Sequence, residues 1–548
     1  MSLILFLALS LGEPTDNYGG VTVTILHTTD IHGWIYGHRH QPNLNADAGD
    51  LYNFIYHRKK NKASNEIVLA FDTGDMIEGT GLSDYNGTRG IEIFNIMKDI
   101  PYDGLVNGNH DIKYDKSVDL IVKTFQPAHA GKYLAGQAVY VPTGKKLGNN
   151  FRTISLGEGN GKILVLGFTY NIANVQKKVK VTGVAAFLNQ EWFGRAMASK
   201  DTRAIVVLCH INTDHTHIAN IKKILRAKKP KTPIIFLTGH SHQERTQKLD
   251  TEAFAMESGR YFNKIGVMKF ALPKTASATS NFAELTEFNG GLASGLDMTT
   301  FNQKYLETNV ALLQAEAGVS AANWNTAVGS RIKSTIQTRL NAFGLLNKQG
   351  CSPKRYSNSA TAADADSIYR LLVDTVFPKV GPKRGNVTTA NGENVESVPN
   401  AVTTLYIQQA NMRYPLFQGA VLKDDIYNTD PMAYEHQAIL GMTGAHLKKL
   451  WGATLATSNS DSADEDGVEH DEDMDGAVSN AIFKTNKFIT KHAKIADTAL
   501  YDIFMDRASM KQAIACLKKI APGKYTMRKT SVSTRDSLKV YVKNYWKC

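Results

Sequence analysis

The chain has 548 residues, and 63 Lys and Arg against 51 Asp and Glu leave a formal net charge of +12. Hydrophobic residues make up 43% and charged residues 21%, which excludes a disordered or fibrous protein. At about 100–200 residues per domain the length admits two to four domains, and past its first residues the chain has no apolar run near the ~20 residues of a membrane helix, which excludes a multispan membrane protein.

The first element in chain order is the short apolar segment Leu3–Leu11, followed by Gly12, Glu13 and Pro14. It resembles the apolar core of a secretory signal within a leader of residues 1–20. The expected setting is secreted, cell-surface or vacuolar. Asn86-Gly87-Thr88 and Asn386-Val387-Thr388 are glycosylation acceptors that fit it.

From Val21 onward, apolar β-rich runs recur and each ends in polar residues. Val21–Leu26 leads to Asp30 and His32, Ile67–Phe71 to Asp72 and Asp75, and Gly104–Val106 to Asn109 and His110. Ala204–Cys209 leads to His210, and Pro233–Leu237 to His240 and His242. Ala46–Lys60, Ile91–Lys98 and Ile218–Lys228 read as helices between them. Continuous apolar strands alternating with helices predict a layered α/β core, and such sheets place their sites at strand ends.

Past about residue 290 the pattern changes. Thr326–Leu346 reads as an amphipathic helix through Val328, Ile332, Ile336, Leu340 and Phe343, and the break Gly350-Cys351-Ser352-Pro353 follows. The predicted organisation is a leader (1–20), a catalytic domain (21–290), a connecting segment with a linker helix (291–349) and a C-terminal domain (350–548). The last contains the polar loop Pro382–Asn400 and an acidic run, Asp461 to Asp475, which lacks EF-hand spacing and reads as a solvated loop. Among the cysteines, Cys209 reads as a buried thiol. Cys351, Cys516 and Cys548 can supply one disulfide, with Cys351–Cys548 the favoured of the open pairings. No dense Lys/Arg block stands beside an aromatic platform, so nucleic acid is not an expected partner.

The polar strand ends form one set: Asp30-x-His32, Gly74-Asp75, Gly108-Asn109-His110-Asp111, His210 and Gly239-His240-x-His242. Alternate residues of a strand point the same way, so Asp30 with His32, and His240 with His242, are each predicted to face one ion. Imidazole and carboxylate donors suit zinc, manganese or iron. Asp75 is the candidate bridge between two ions, and the glycines let backbone approach closely. The other histidines read more plainly: His27 packs behind the first strand, His215 and His217 start a helix, and His470 lies in the acidic run. His38 and His40 follow the first ligand loop toward the entrance of the site.

These blocks resemble the calcineurin-like metallophosphoesterase superfamily. The run Leu26-His27-Thr28-Thr29-Asp30-Ile31-His32-Gly33, with the Gly-Asn-His and Gly-His-Ser-His blocks, is similar to its 5'-nucleotidase family. Glu78-Gly79-Thr80-Gly81-Leu82 and Ser258-Gly259-Arg260-Tyr261 resemble that family's fungal secreted or vacuolar branch. The specific resemblance covers residues 21–270, and a looser one continues through Thr443–Leu450.

The resemblance implies an α/β protein, a four-layer αββα sandwich followed by a smaller α+β C-terminal domain. It implies two divalent ions, one on Asp30, His32, Asp75 and His242 and the other on Asp75, Asn109, His210 and His240. In-line attack of metal-bound hydroxide would release phosphate, with His110 facing the phosphate and protonating the leaving oxygen. The family often places an Asp three residues beyond this His; here that position is Lys113, so Asp111 or Asp115 orients His110, or another group does. Substrate contacts are expected from Asn109, Arg413 and Tyr434, although Gln408, Ala410 and Met432 depart from the family pattern. The expected activity is that of a 5'-nucleotidase acting on nucleoside monophosphates. The alternatives are a phosphodiesterase or nucleotide-sugar hydrolase, a broad phosphatase, and a metal-bound binding protein.

Overall fold

Strand Val21–Thr28, rich in Val and Thr, sits inside a five-stranded sheet of order Asn302–Glu307, Lys264–Leu272, Val21–Thr28, Glu66–Asp72, Gly104–Leu105, the last three parallel. A six-stranded sheet runs Glu244–Asp250, Ala253–Ser258, Ile234–Thr238, Thr202–Cys209, Lys162–Phe168, Phe151–Ser155, its middle four parallel. This computed structural model describes residues 21–169, 177–272, 302–360, 364–383, 387, 403–407, 412–456, 496–505 and 507–548. The signal-like segment, Asn386, most of the 382–400 loop, the acidic run and His470 lie outside them.

The period-two alternation of each strand decides what it faces. Leu69 and Phe71 meet Val206, Leu208, Ile235 and Leu237 between the sheets. Their neighbours Val68 and Ala70 turn outward to helices Ala48–Lys60 and Ile91–Met97. On the far side Ile205, Val207, Ile234 and Phe236 turn to helices Glu191–Met197 and Thr216–Lys228. Both faces of the central strands are covered, which is why they read as unbroken apolar runs. The result is the α/β/β/α sandwich expected. Each buried Val, Leu, Ile or Phe contributes about 1.5–3 kcal/mol, so apolar burial between and outside the sheets stabilises the frame that carries the polar groups.

The stretch expected to connect two domains joins this frame. Strand Asn302–Glu307 pairs with Lys264–Leu272, and helix Ala327–Ala342 buries Ile332, Ile336 and Leu340. The Thr326 hydroxyl caps that helix by accepting the Gly329 N–H at 2.9 Å. Its Lys333 ammonium pairs with buried Asp50 of the 48–60 helix.

Beyond it, a four-stranded sheet of order Thr403–Ile407, Leu500–Met505, Glu435–Thr443, Arg528–Ser533 forms an α+β unit with Tyr369, Phe377, Leu416 and Leu538 in its core. The two halves meet at buried Asp424, which accepts the Gly81 N–H at 2.9 Å and the Tyr36 hydroxyl. Among the described residues no helix is long and apolar enough to cross a membrane.

Cys351 and Cys548 form a disulfide across 197 residues, and Cys209 is a buried thiol. Opening that bridge is expected to cost about 2–5 kcal/mol. Urea unfolding of Cys351→Ser, followed by the fluorescence of Trp546 beside the bridge, checks this; an unshifted midpoint would refute it.

Candidate metal centre

The parallel strands of both sheets end on one side, and the loops leaving them carry every candidate ligand. Asp30 and His32 follow Thr28, Asp75 follows Asp72, Asn109 and His110 follow Leu105, His210 follows Cys209, and His240 and His242 follow Thr238. The Asp-x-His and His-x-His pairs are therefore not strand residues, and alternation along a strand is not what aims them. Asp30 (φ 50°), His32 (φ 49°), Asp75 (φ 56°), His240 (φ 81°) and His242 (φ 61°) all take the left-handed conformation.

For side-chain-bearing residues that conformation costs about 1–3 kcal/mol each and survives only where the surroundings over-determine it. Here they do. The N–H groups of Asp30, His32 and Gly33 donate to the carbonyls of Gly74, Asp75 and Met76 at 2.9, 2.8 and 2.7 Å. The Asp111 carboxylate accepts the N–H groups of Asp75, Met76 and Gly108 at 2.8, 2.8 and 2.9 Å. The loops are packed so closely that a Cβ on Gly108 would lie 2.0 Å from Asp75 Oδ1.

The side chains gather in two adjoining groups, Asp30 with His32 and His242, and Asp75 with His210 and His240, joined by a third of His32, Asp75 and His110, the ligand atoms of each within 4.8 Å of one another. His242 Nε2 lies 3.2 Å from Asp30 Oδ1 and 3.1 Å from His32 Nε2. Asp75 Oδ2 faces both groups, 3.0 Å from His210 Nε2 and 3.8 Å from His32 Nε2. Asn109 Oδ1 stands 2.9 Å from His240 Nδ1.

This donor set fits divalent cations. His32 Nδ1 donates to the carbonyls of Ile77 and Glu78 at 3.0 and 2.9 Å, and His210 Nδ1 to that of Thr73 at 2.8 Å. With Nδ1 so engaged, the neutral ring of each would present its Nε2 lone pair to an ion, the tautomer a metal-ligating imidazole needs. Burial alone would raise both carboxyls. His210 and His242 hold Asp30, and His210 and His110 hold Asp75, well below the usual range. Burial pushes His32 and His240 down to about 3, so both are neutral. At His210 the pull of Asp75 and Asp30 outweighs burial and lifts the imidazole to about 10. That corner strongly favours positive charge.

Residues 23–244 match the calcineurin-like phosphoesterase family model. They are a calcineurin-like phosphoesterase domain. The chain is accordingly a metal-dependent phosphoester hydrolase. It is 25% identical over 454 residues to an uncharacterized protein of Schizosaccharomyces pombe, covering 80% of this chain and 74% of the relative. To a secreted protein of Arthroderma benhamiae it is 24% identical over 460 residues, 79% of this chain and 67% of the relative. The crystal structure of 5'-nucleotidase from Candida albicans matches 97% of this chain and 100% of its own at a TM-score of 0.77 and 20% identity. The two share a fold, C-terminal unit included.

In this phosphoesterase domain His110 stands beside the ligands, its N–H donating to Asp75 Oδ1 at 2.8 Å and its Nε2 4.0 Å from Asp75 Oδ2. Its Nδ1 meets Glu78, not Asp111 or Asp115. The orienting role predicted for those two is corrected: Asp111 holds backbone N–H groups, and Asp115 accepts those of Lys177 and Lys178 at 3.1 and 3.0 Å. Glu78 is 1% exposed and also left-handed, with φ 68°. Burial alone would raise its carboxyl, but Lys113, Arg89 and His110 hold it well below the usual range. Sequence reasoning missed it because Glu78 lies 32 residues from His110 in no recognisable spacing. Two signals were available, the block Glu78–Leu82 and Lys113, a cation where an acid was expected.

Arg413 is buried, and its charge helps to depress the His32 imidazole. Tyr434 lies against Lys113, whose Nζ is 5.7 Å from its ring centre. Gln408 and Ala410 fall outside the described residues. His27 is a core residue satisfied by Ser258 and Thr73 at 2.7 and 2.9 Å. His38 stacks on Trp34 at 4.5 Å, His40 pairs with Asp425 at 2.9 Å, and His215 caps the Thr216–Lys228 helix.

Gly108→Ala is expected to displace the Asp75 carboxylate and weaken zinc binding by about 10-fold or more. Competition titration with a zinc chelator checks it, and an unchanged affinity would contradict the packing argument.

Proposed function

We propose that the chain releases phosphate from phosphomonoesters at a dinuclear centre, with nucleoside monophosphates as the favoured substrates, as a 5'-nucleotidase does. The observation carrying this reading is the placement of Asp75, whose Oδ2 faces both ligand groups while its Oδ1 fixes the backbone of His110. One divalent ion would be held by Asp30, His32, Asp75 and His242, the other by Asp75, Asn109, His210 and His240; zinc, manganese and iron suit these donors. When bound, such ions supply Lewis acidity toward the phosphoryl oxygens and an oxygen nucleophile near neutral pH.

The protein's own groups do the rest. His110, with Nδ1 engaged by Glu78, presents Nε2 to the phosphoryl group and gives its proton to the departing alkoxide. Arg413, beside His32, offsets the substrate's negative charge.

Support for a nucleoside comes from the shared fold with the Candida albicans enzyme and from an aromatic cluster beside the ligands. Tyr261 stands 5.7 Å from His32, and Trp34 lies 4.5 Å from Tyr414, which belongs to the C-terminal half. A base stacked on such a surface gains about 1–3 kcal/mol. A second reading, a phosphatase or diesterase of other scope, is favoured by residues 431–434. Met432 stands where the family resemblance calls for a stacking Phe, and Tyr434 packs on Lys113. Export is part of the proposal: the Cys351–Cys548 disulfide, the exposed acceptor Asn86 and the secreted relative all favour an oxidising compartment.

Hydrolysis of AMP beside p-nitrophenyl phosphate, cyclic nucleotides and UDP-glucose, with zinc, manganese or EDTA, tests this. AMP is expected to be preferred and EDTA to abolish turnover. His110→Ala and Asp75→Asn are each expected to lower kcat by about 10²-fold or more. A preference for the simple ester would favour the second reading. Turnover surviving EDTA and both substitutions would sink the metal mechanism.

A further inference from the structure

We propose that Glu78 is the positioning residue of His110, held ready by Lys113, Arg89 and Tyr114; this rests on the phosphoester reading above. The carboxylate divides its two oxygens. Oε2 takes His110 Nδ1 and lies 3.3 Å from the Lys113 ammonium, while Oε1 takes the Arg89 guanidinium and the Tyr114 hydroxyl. The Nδ1 proton is thereby tied to Glu78, so the proton that His110 gives to the leaving oxygen is a second one, carried on Nε2, which lies 4.0 Å from Asp75 Oδ2. A free imidazole would sample both tautomers and both ring orientations.

The acids nearest in sequence are engaged elsewhere, Asp111 by three backbone N–H groups and Asp115 by two. The cations beside Glu78 explain why it stays an ion although its side chain is 0% exposed: a buried carboxylate without paired charge is strongly disfavoured. Lys113 thus has a defined partner. It neutralises a carboxylate that reaches His110 from another loop, in place of an acid at its own position. The left-handed backbone at Glu78 adds to the case, because strain of that kind persists where a side chain must be aimed. Arg89 extends the cluster across the fold, donating to the carbonyls of Pro431 and Met432 at 3.3 and 2.9 Å.

Leaving-group dependence separates positioning from mere support. A nucleoside alkoxide needs the His110 proton to depart, whereas p-nitrophenolate departs readily without one. In the metal-loaded full chain, Glu78→Gln is expected to lower kcat on AMP by about 10–100-fold and on p-nitrophenyl phosphate by less than about 3-fold, with bound metal per chain unchanged. Added to His110→Ala, it is expected to cause no further loss on AMP. Equal losses on both esters, or full additivity with His110→Ala, would overturn the proposal. Should Glu78→Gln melt early or shed metal, the milder Tyr114→Phe removes one donor to Oε1, and a several-fold loss on AMP alone is expected. An equal loss on both esters, or none, would be equally fatal. A wild-type chain inert toward both esters would overturn the phosphoester reading and Glu78's role together, whereas equal losses in an active enzyme would overturn Glu78's role alone.

Discussion

Asp30 and Asp75 are 0% and 1% exposed, and a carboxylate removed from water costs several kcal/mol unless positive charge is close. The surrounding architecture follows from meeting that demand. The acids around the centre sort into two kinds. Asp30, Asp75 and Glu78 are held ionised by facing cationic or imidazole groups. Asp72, Asp111 and Glu257 are pushed by burial up to about 8, 7 and 7, and they brace. Asp72 accepts the Thr28 hydroxyl and the Gly74 N–H, and Glu257 accepts the Ser241 hydroxyl and the Gln243 N–H. Carboxyls whose environments drive them apart in this way divide the labour of a site between them.

The bracing has work to do because the ligand loops are bent against their own preferences. Left-handed residues at Asp30, His32, Asp75, Glu78, His240 and His242 surround one centre, an energy debt of several kcal/mol in sum. Two sheets packed face to face through Phe71, Leu208 and Leu237 anchor the strand ends. The loops leaving those ends have little freedom left to lose, so cations would meet a set of donors already assembled.

The layered frame was legible in the sequence because strands covered on both faces are continuously apolar, and Ile67–Phe71 and Ala204–Cys209 could hardly be anything else. The start of the linker helix was legible at Thr326, whose hydroxyl caps it, but its end was not: read to Leu346, the helix stops at Ala342. The ligand types and their order were legible too, but the geometry that aims them was not. Strand alternation gave the right residues for Asp30 and His32 with the wrong cause, since left-handed turns leave no mark in a sequence beyond neighbouring glycines such as Gly33 and Gly74. The role of Glu78 was invisible for a different reason. Its partner is reached through tertiary contact between loops, and local spacing carries no information about such contacts. The same limit applies to residues 431–434, whose attachment to Arg89 and Lys113 crosses from one half of the fold to the other.

That attachment has a consequence for substitution. Arg89 grips residues 431 and 432 by their carbonyl oxygens, groups every amino acid possesses. That link does not depend on which side chains stand there, although Met432 is itself buried with its Sδ 3.9 Å from Lys113 Nζ. A change at Met432 would therefore keep the backbone tie between the halves while altering what packs against Lys113.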